Sequence, residues 1–174
     1  SSSTSITLLL GDCLMSALLT KQKFNKQKFK VYHPGGNLGQ TLLLVKDIMI
    51  RERNKIPLIN FNSNIVTAVK IISKKKLGLG IIVKKNLAIG IVTDGDLRRG
   101  AKKFSKKDKI NTLMTKKPLY INESASAHKG LSIMSNNLIT SLLVSSDSDY
   151  KKNKIYFKPR GILHIHNLLE YGIK

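Results

Sequence analysis

Residues 90–99 read "GIVTDGDLRR" and residues 161–170 read "GILHIHNLLE", so one pattern occurs twice in the chain. Both stretches begin with glycine and aliphatic residues, pass through a short polar turn and end in a leucine-containing polar segment. A short apolar run rich in β-branched residues predicts a strand, and the segment after each polar turn predicts a helix. The sequence therefore predicts the same strand-to-helix turn in two places.

The segments around these turns also recur in the same order, which indicates an internal duplication. Residues 43–106 and 107–174 each predict a helical lead-in, a strand, an amphipathic helix, two further strands and a closing helix. Met49 matches Met114 in this alignment, and the register lengthens only at a polar insertion in the second hairpin, residues 145–160. The predicted fold class is α/β, with two β-α-β-β-α repeats in tandem.

Residues 1–42 do not belong to the duplication. A Ser/Thr cluster leads into a helical pattern from Ile6 to Leu19, and Pro34 with the following glycine pair predicts a loop. We expect this segment to be the end of a larger domain. No apolar run appears long enough to span a membrane, and no basic region precedes the apolar residues, so we expect neither a signal peptide nor a membrane partner.

The charge of the chain is strongly positive, +21, with 31 Lys and Arg residues against 10 Asp and Glu residues. Such a balance is typical of nucleic-acid-binding proteins. However, only five of the basic residues are arginine, the residue best suited to reading bases, and the lysines are scattered over many polar segments. An AT-rich genome would produce this excess of lysine, isoleucine and asparagine, so nucleic-acid binding is the less favoured interpretation. The single cysteine, Cys13, favours a cytoplasmic location.

The tandem units ending in "GIVTDGDL" resemble a pair of CBS (cystathionine β-synthase) domains. Residues 1–42 carry "LGD" and "HPGG" and resemble the end of the sugar isomerase (SIS) domain of D-arabinose 5-phosphate isomerases, in which a CBS pair follows directly. The resemblance implies a helical SIS remnant at 1–42, CBS domain 1 at 43–106 and CBS domain 2 at 107–174. That family interconverts ribulose 5-phosphate and arabinose 5-phosphate for the synthesis of Kdo and lipopolysaccharide.

The resemblance implies that most of the catalytic domain would precede Ser1. We therefore expect the regulatory and assembly portion of such an isomerase, inactive by itself and without a cofactor. A freestanding CBS pair that senses an adenine or other nucleotide is the alternative, and a basic nucleic-acid-binding protein is a third. The expected partners are a second copy of the chain, in a dimer or tetramer, a nucleotide or nucleotide-sugar effector, and a separately encoded SIS domain.

The turn that contains Thr93 and Asp96 is the first candidate site. Backbone N–H groups at the start of a helix favour phosphate, and a carboxylate can accept hydrogen bonds from ribose hydroxyls. In CBS domains the matching residues bind adenine nucleotides; the competing interpretation is that they only cap the helix. The second repeat has His164 and Asn167 at these positions. Asn167 keeps a hydrogen-bonding group there but lacks the charge.

The remaining candidates are histidines and the residues near them. His164 and His166 would share one face of a strand, but without further ligands nearby no metal site is expected. His33 matches a histidine in the isomerase active site, and an imidazole can move the proton in an aldose–ketose isomerisation. The resemblance also implies substrate-binding roles for a final group of residues: Ser2, Ser3, Thr4, Gly35 and Gly36.

Overall fold

The structure is a computed structural model that describes residues 2–24, 43–100, 103–105 and 107–173. It divides into two units, Ser1–Leu42 and Leu43–Lys174. The second unit contains strands β1 (Leu58–Asn60), β2 (Leu79–Lys84), β3 (Leu87–Thr93), β4 (Thr115–Lys116), β5 (Tyr120–Asn122), β6 (Ser141–Ser145) and β7 (Gly161–His164). Its helices are α2 (Val45–Ile48), α3 (Ile65–Lys75), α4 (Asp94–Gly100), α5 (Ala127–Asn136), α6 (Asp147–Lys151) and α7 (Ile165–Glu170), with a 3₁₀ turn at Ile110–Thr112.

The first unit contains one described helix, α1, which spans Ser2–Lys21 and so exceeds the predicted stretch from Ile6 to Leu19. By length and composition alone this helix could cross a membrane. The expectation that no apolar run reaches that length is therefore wrong. A single such helix is weak evidence for a membrane, because core helices of soluble proteins and signal sequences share these properties.

Each repeat builds one small mixed sheet. In the first, β1 pairs with β2 in parallel, and β2, β3 and β4 continue antiparallel in that order. In the second, β5 pairs with β6 in parallel and β6 pairs with β7 antiparallel. The predicted β-α-β-β-α order is thus confirmed in both copies, since α3 and α5 connect the parallel strands and α4 and α7 close the repeats.

The two connecting helices begin at capping residues that the sequence supplies. The Asn64 side chain accepts a hydrogen bond of 2.8 Å from the backbone N–H of Thr67 and so caps α3. Ser126 holds the equivalent place before α5, where its hydroxyl accepts from the N–H of Lys129 at 3.3 Å. These bonds satisfy N–H groups that the first turn of a helix leaves unpaired, and they set where each helix begins.

The segments that lead into each repeat, residues 43–50 and 110–116, pair with the sheet of the other repeat. Ile50 forms an antiparallel bridge to Ile162 at the second sheet, whereas β4 pairs with β3 in the first. Side chains follow the same exchange: Val45 and Ile48 are buried in the core of the second repeat, and Ile110 in that of the first. We call residues 43–50 and 110–116 the lead-in segments.

A third apolar cluster joins the two sheets. Ile81 from the first repeat packs with Leu143 and Ile162 from the second, and all three are at most 2% exposed. Phe157, from the insertion of the second hairpin, belongs to the same cluster, and its carbonyl oxygen accepts from the N–H of Ala88 at 2.8 Å. The insertion is thereby fastened to the first sheet, so the two repeats form one packed body.

Candidate functional site

A cavity of about 480 Å³ lies where the two repeats meet, beside the turn from β3 into α4. Leu77 and Ile91 of the first repeat and Ile139 of the second provide apolar wall. Polar groups come from Thr93 and Asp96, and further residues come from the connection between β4 and β5. A cavity with apolar walls and a few convergent polar groups is the usual form of a small-molecule site.

Thr93 and Asp96 hold each other in place through reciprocal hydrogen bonds. The Thr93 hydroxyl donates to Oδ2 of Asp96 at 2.7 Å, and the Thr93 N–H donates to the same oxygen at 2.9 Å. In return the N–H of Asp96 donates to Oγ1 of Thr93 at 3.2 Å. This is a capping box, so the capping interpretation is correct as local structure. It also fixes both side chains at the cavity wall, which suits them for binding.

Arg99 completes this group, because its guanidinium donates to Oδ1 of Asp96 at 2.5 Å. Burial by itself raises the pKa of Asp96, but the hydrogen bonds from Thr93 and the hydrogen bond and charge of Arg99 outweigh it, so the pKa lies below the usual 3.8. Asp96 is therefore ionised at neutral pH. The Arg99 side chain is 73% exposed, so it can move without unpacking any core residue.

The connection after β4 crosses the cavity and adds two groups that the sequence analysis did not single out. Lys117 has φ +52°, and the chain then runs through Pro118 and Leu119 along the cavity wall. A cation, Lys117, and an apolar residue, Leu119, from this connection thus line the same cavity as Thr93 and Asp96. The signal for them was the short chain between two matched repeats, because such a connection has to cross the cleft between them.

The matching turn of the second repeat is built differently. The Nδ1 atom of His164 accepts from the N–H of His166 at 3.2 Å, so this ring caps α7. His166 therefore lies in a helix, and the prediction that both histidines occupy one strand is wrong, although their ring centroids are 4.8 Å apart. Burial, and secondly the nearby His166, lower the pKa of His164 below 6.5. Among the described residues no group of three or more His, Cys, Asp or Glu side chains could hold a metal.

Asn167 occupies the place of Asp96 in this second turn. Its Oδ1 atom is buried and has no hydrogen-bond partner among the residues that the structure describes, whereas both carboxylate oxygens of Asp96 are engaged. A second cavity of about 480 Å³ lies beside His164 and His166, with Asp94 of the first repeat also on its wall. Asn167 is not among the residues that line it. The two turns therefore differ in geometry as well as in residue type.

Comparison with known protein families assigns the chain. The model for the CBS domain matches residues 45–103 and again residues 110–174. The chain belongs to the CBS domain family. The predicted pair of CBS domains is thereby confirmed, and the cavity beside Thr93 lies between the two CBS domains.

Relatives of the CBS pair include sugar-phosphate isomerases. The chain is 36% identical to the arabinose 5-phosphate isomerase KdsD of Francisella tularensis over 175 residues, 99% of this chain and 51% of that protein. Similarity to KdsD of Salmonella typhi is of the same degree, 36% over 176 residues, again 99% and 51% of the two chains. The resemblance to arabinose 5-phosphate isomerases is therefore confirmed, and the chain spans about half the length of the relatives it matches.

Solved structures of other CBS pairs share the fold. The CBS domain protein of Pyrobaculum aerophilum complexed with AMP superposes with a TM-score of 0.60 at 14% identity, covering 76% of this chain and all of that one, 100%. The CBS pair of the protein MJ0100, in complex with 5′-methylthioadenosine and S-adenosyl-L-methionine, gives 0.62 at 24% identity, covering 76% and 99%. At these identities the likeness establishes the fold alone.

The remaining candidates belong to residues 1–42. Ser2, Ser3 and Thr4 lie in the first turn of α1, and the carbonyl oxygen of Ser3 accepts from the Thr7 hydroxyl at 3.0 Å. The other isomerase candidates, His33, Gly35 and Gly36, lie outside the described residues. Their catalytic and substrate-binding roles stay predictions.

Proposed function

We propose that the CBS pair is the regulatory portion of an arabinose 5-phosphate isomerase and binds an adenine nucleotide, or a ligand that carries one, beside Thr93. The convergence of Thr93, Asp96 and Arg99 on one cavity of about 480 Å³ between the CBS domains carries this proposal. The similarity to KdsD proteins supports the link to the isomerase. The nucleotide in the Pyrobaculum structure supports the choice of ligand class.

The charges of the cavity match the parts of a nucleotide. The apolar walls, which include Leu77 and Ile139, suit a planar base, while the ionised Asp96 accepts from ribose hydroxyls. A ribose hydroxyl that donates to Oδ1 of Asp96 competes with Arg99 for that oxygen. Arg99 then turns toward the phosphates, where Lys117 adds a second cation. Binding thus exchanges an internal ion pair for two contacts to ligand.

A freestanding nucleotide sensor is the second candidate, because the described residues that line this cavity all belong to the CBS pair. The two functions differ in what the nucleotide controls. In the isomerase, nucleotide bound beside Thr93 changes the turnover of ribulose 5-phosphate; in a freestanding sensor it changes a partner's activity or assembly. For the isomerase function, the proposed partners are a second copy of the chain and a separately encoded SIS domain. The proposed location is the cytoplasm.

Calorimetric titration of the chain with AMP and ATP tests the site. Asp96→Ala removes a charge-assisted hydrogen bond and should weaken binding about 10- to 150-fold. Asp149→Ala is the matched control: Asp149 likewise exchanges hydrogen bonds with the N-cap hydroxyl of its helix, that of Ser146, and pairs with Lys154 at 2.7 Å, but it does not line the cavity. Binding that is equally weakened in both variants, or unchanged in Asp96→Ala, contradicts the proposed site.

A further inference from the structure

The arginines of this lysine-rich chain are concentrated at two places. Of the 31 basic residues only five are arginine. Arg99 lines the nucleotide cavity, with Arg98 adjacent to it in sequence. The other three, Arg51, Arg53 and Arg160, line a separate cavity of about 120 Å³ together with Lys158. In a chain in which most basic residues are lysine, three arginines lining one cavity are not expected from composition alone. Their convergence distinguishes this second cavity from the rest of the basic surface.

The backbone of both repeats positions these arginines. Arg51 directly follows Ile50, and the backbone of Ile50 exchanges hydrogen bonds of 2.8 and 3.1 Å with that of Ile162. The Arg51 guanidinium donates to the carbonyl oxygen of Lys46. Arg160 is held from the other side, since its N–H donates to the carbonyl oxygen of Val144 at 2.8 Å. The cavity is thus formed where the first lead-in segment meets the start of β7.

The insertion of the second hairpin supplies half of the charge. Lys158, Pro159 and Arg160 belong to residues 145–160, the segment that has no counterpart in the first repeat. The equivalent end of the first hairpin is the tight turn at Lys85 and Asn86, both of which have positive φ. Two of the four cations, Lys158 and Arg160, therefore come from a segment that only the second repeat contains.

The positive charge of this cavity is largely uncompensated. Within the described part of the chain, one ion pair involves its four lining cations, Arg160 with Glu123 at 3.6 Å. Like charges held near each other raise the free energy of the folded state, and a bound anion relieves that repulsion. Arginine does this best for phosphate, because its planar fork offers two parallel N–H donors.

The shape of the cavity limits what the cations bind. Ile56, only 6% exposed, and the half-buried Leu58 and Pro159 give it an apolar wall, so the cations surround a recess rather than a flat patch. Its volume of about 120 Å³ is a quarter of the nucleotide cavity's 480 Å³. The recess has room for one or two phosphoryl groups but not for a nucleoside as well.

We propose that this recess is a second anion site, separate from the nucleotide cavity, and that it binds the phosphoryl group of a small molecule. Arg51, Arg53 and Arg160 hold the phosphoryl oxygens, and Lys158 adds charge. The phosphoryl group belongs either to free pyrophosphate or to a small sugar phosphate, which share this chemistry. A nucleic acid is not the expected ligand. Its phosphate backbone binds cations that lie on an open surface, whereas these cations surround a small recess.

Calorimetry on the 174-residue chain, with pyrophosphate and with a pentose 5-phosphate as separate probes, tests the site. We expect one-to-one binding of at least one probe, and the tighter of the two identifies the source of the phosphoryl group. Arg53→Gln should weaken binding about tenfold or more, the loss expected for one charge-assisted bond. Arg53→Lys, which keeps the charge but not the fork, should recover only part of this loss.

Two control variants keep the outcome specific. Arg98→Gln removes the same charge away from the recess and should leave the affinity for both probes unchanged. Arg99→Gln reports instead whether a probe binds in the nucleotide cavity, where Arg99 is proposed to contact phosphate. The proposal is overturned if neither probe saturates, if Arg98→Gln weakens binding as much as Arg53→Gln, or if Arg99→Gln alone abolishes it. Duplex DNA that binds more tightly than both probes and displaces them also overturns it.

Discussion

The carbonyl oxygen of Ile50 lies so close to Gly161 that a Cβ on this glycine would be 2.5 Å from it. Gly90 has the same relationship to the other lead-in segment, where the carbonyl oxygen of Thr115 would be 2.8 Å from an added Cβ. The glycines that open the two matching turns are therefore required by close backbone contact between the repeats. A methionine, Met49 or Met114, covers each glycine from the same side.

Gly161→Ala and Gly90→Ala should each destabilise the CBS pair, by about 1–3 kcal/mol, because the added methyl group displaces backbone rather than a flexible side chain. Urea unfolding at neutral pH measures the loss. Gly11→Ala is the control, because no described residue lies within 4 Å of its Cβ position and alanine favours the helix. Unfolding free energies that stay at the wild-type value in both variants would contradict the close contact.

The histidine turn should make stability depend on pH. His164 has a lowered pKa in the folded chain, so the unfolded chain takes up a proton at higher pH than the folded one. Stability from this residue is therefore complete above pH 6.5 and is lost as pH falls from there toward the folded pKa. The other charged or titratable side chains on the wall of the cavity beside His164 are those of His166, Asp94 and Lys76.

His164→Asn, which retains a capping acceptor, should reduce the loss of stability between about pH 7 and pH 5. Urea unfolding at several pH values across this window provides the measurement. His128→Asn changes an exposed histidine on α5 and serves as the comparison. If wild type and His164→Asn lose the same stability over the window, burial of the His164 ring does not govern the effect.

The second turn should contribute less to nucleotide binding than the first. Asn167 carries no charge, and its Oδ1 atom has no partner among the described residues. Asn167→Ala is therefore expected to lower AMP affinity by less than Asp96→Ala, because it removes no charge-assisted bond. Calorimetry on the two variants side by side decides the point, and equal losses would show that both turns bind alike.

Duplex DNA should bind weakly and without sequence preference. The charge of +21 attracts a polyanion, but lysines dispersed over the surface make salt-sensitive contacts to phosphate and cannot read bases as arginine does. Fluorescence anisotropy with two unrelated duplexes should show binding at about 50 mM salt that largely disappears by about 200 mM. Nanomolar, sequence-dependent affinity near 150 mM salt would instead favour a nucleic-acid function.

The 174 residues by themselves should not convert ribulose 5-phosphate to arabinose 5-phosphate. His33 could transfer a proton only to a substrate held within roughly 2.6–3.2 Å, and the isomerase relatives are about twice as long as the part matched here. A coupled assay on the purified chain gives the rate. A rate above that of buffer that disappears in His33→Ala would show that this portion suffices for catalysis.

Local features of the fold could be predicted from the sequence because they depend on neighbouring residues. The apolar residues Ile65, Val69 and Ile72 recur at helical spacing and predict an amphipathic helix, and Asn62, Ser63 or Asn64 could each cap it. In the structure Asn64 is the cap of α3. The exchange of lead-in segments could not be predicted in this way. Val45 and Ile48 are apolar at helical spacing, which indicates burial, but periodicity does not specify which of two similar cores receives them.

The site was predictable to the same limited extent. Thr93 and Asp96 stand out in the sequence because they lie where a predicted strand ends and a predicted helix begins. That Arg99 and Lys117 also line the cavity is evident only from the tertiary structure. The alternating "HIH" motif, residues 164–166, predicted that both histidines lie in one strand, because alternation does not show where a strand ends. Here the His164 ring caps the next helix and ends β7, an effect that depends on a side-chain rotamer.

The two halves of residues 43–174 exchange their lead-in segments in the way that the two chains of an intertwined dimer exchange segments. Here the two halves belong to one continuous chain. Val45 and Ile48 complete the core of the half to which they do not belong in sequence, and Ile110 does so in return. A single half would therefore leave an apolar face open and lose one strand partner. We therefore expect each half to need the other for stability, and the CBS pair to unfold in one cooperative transition.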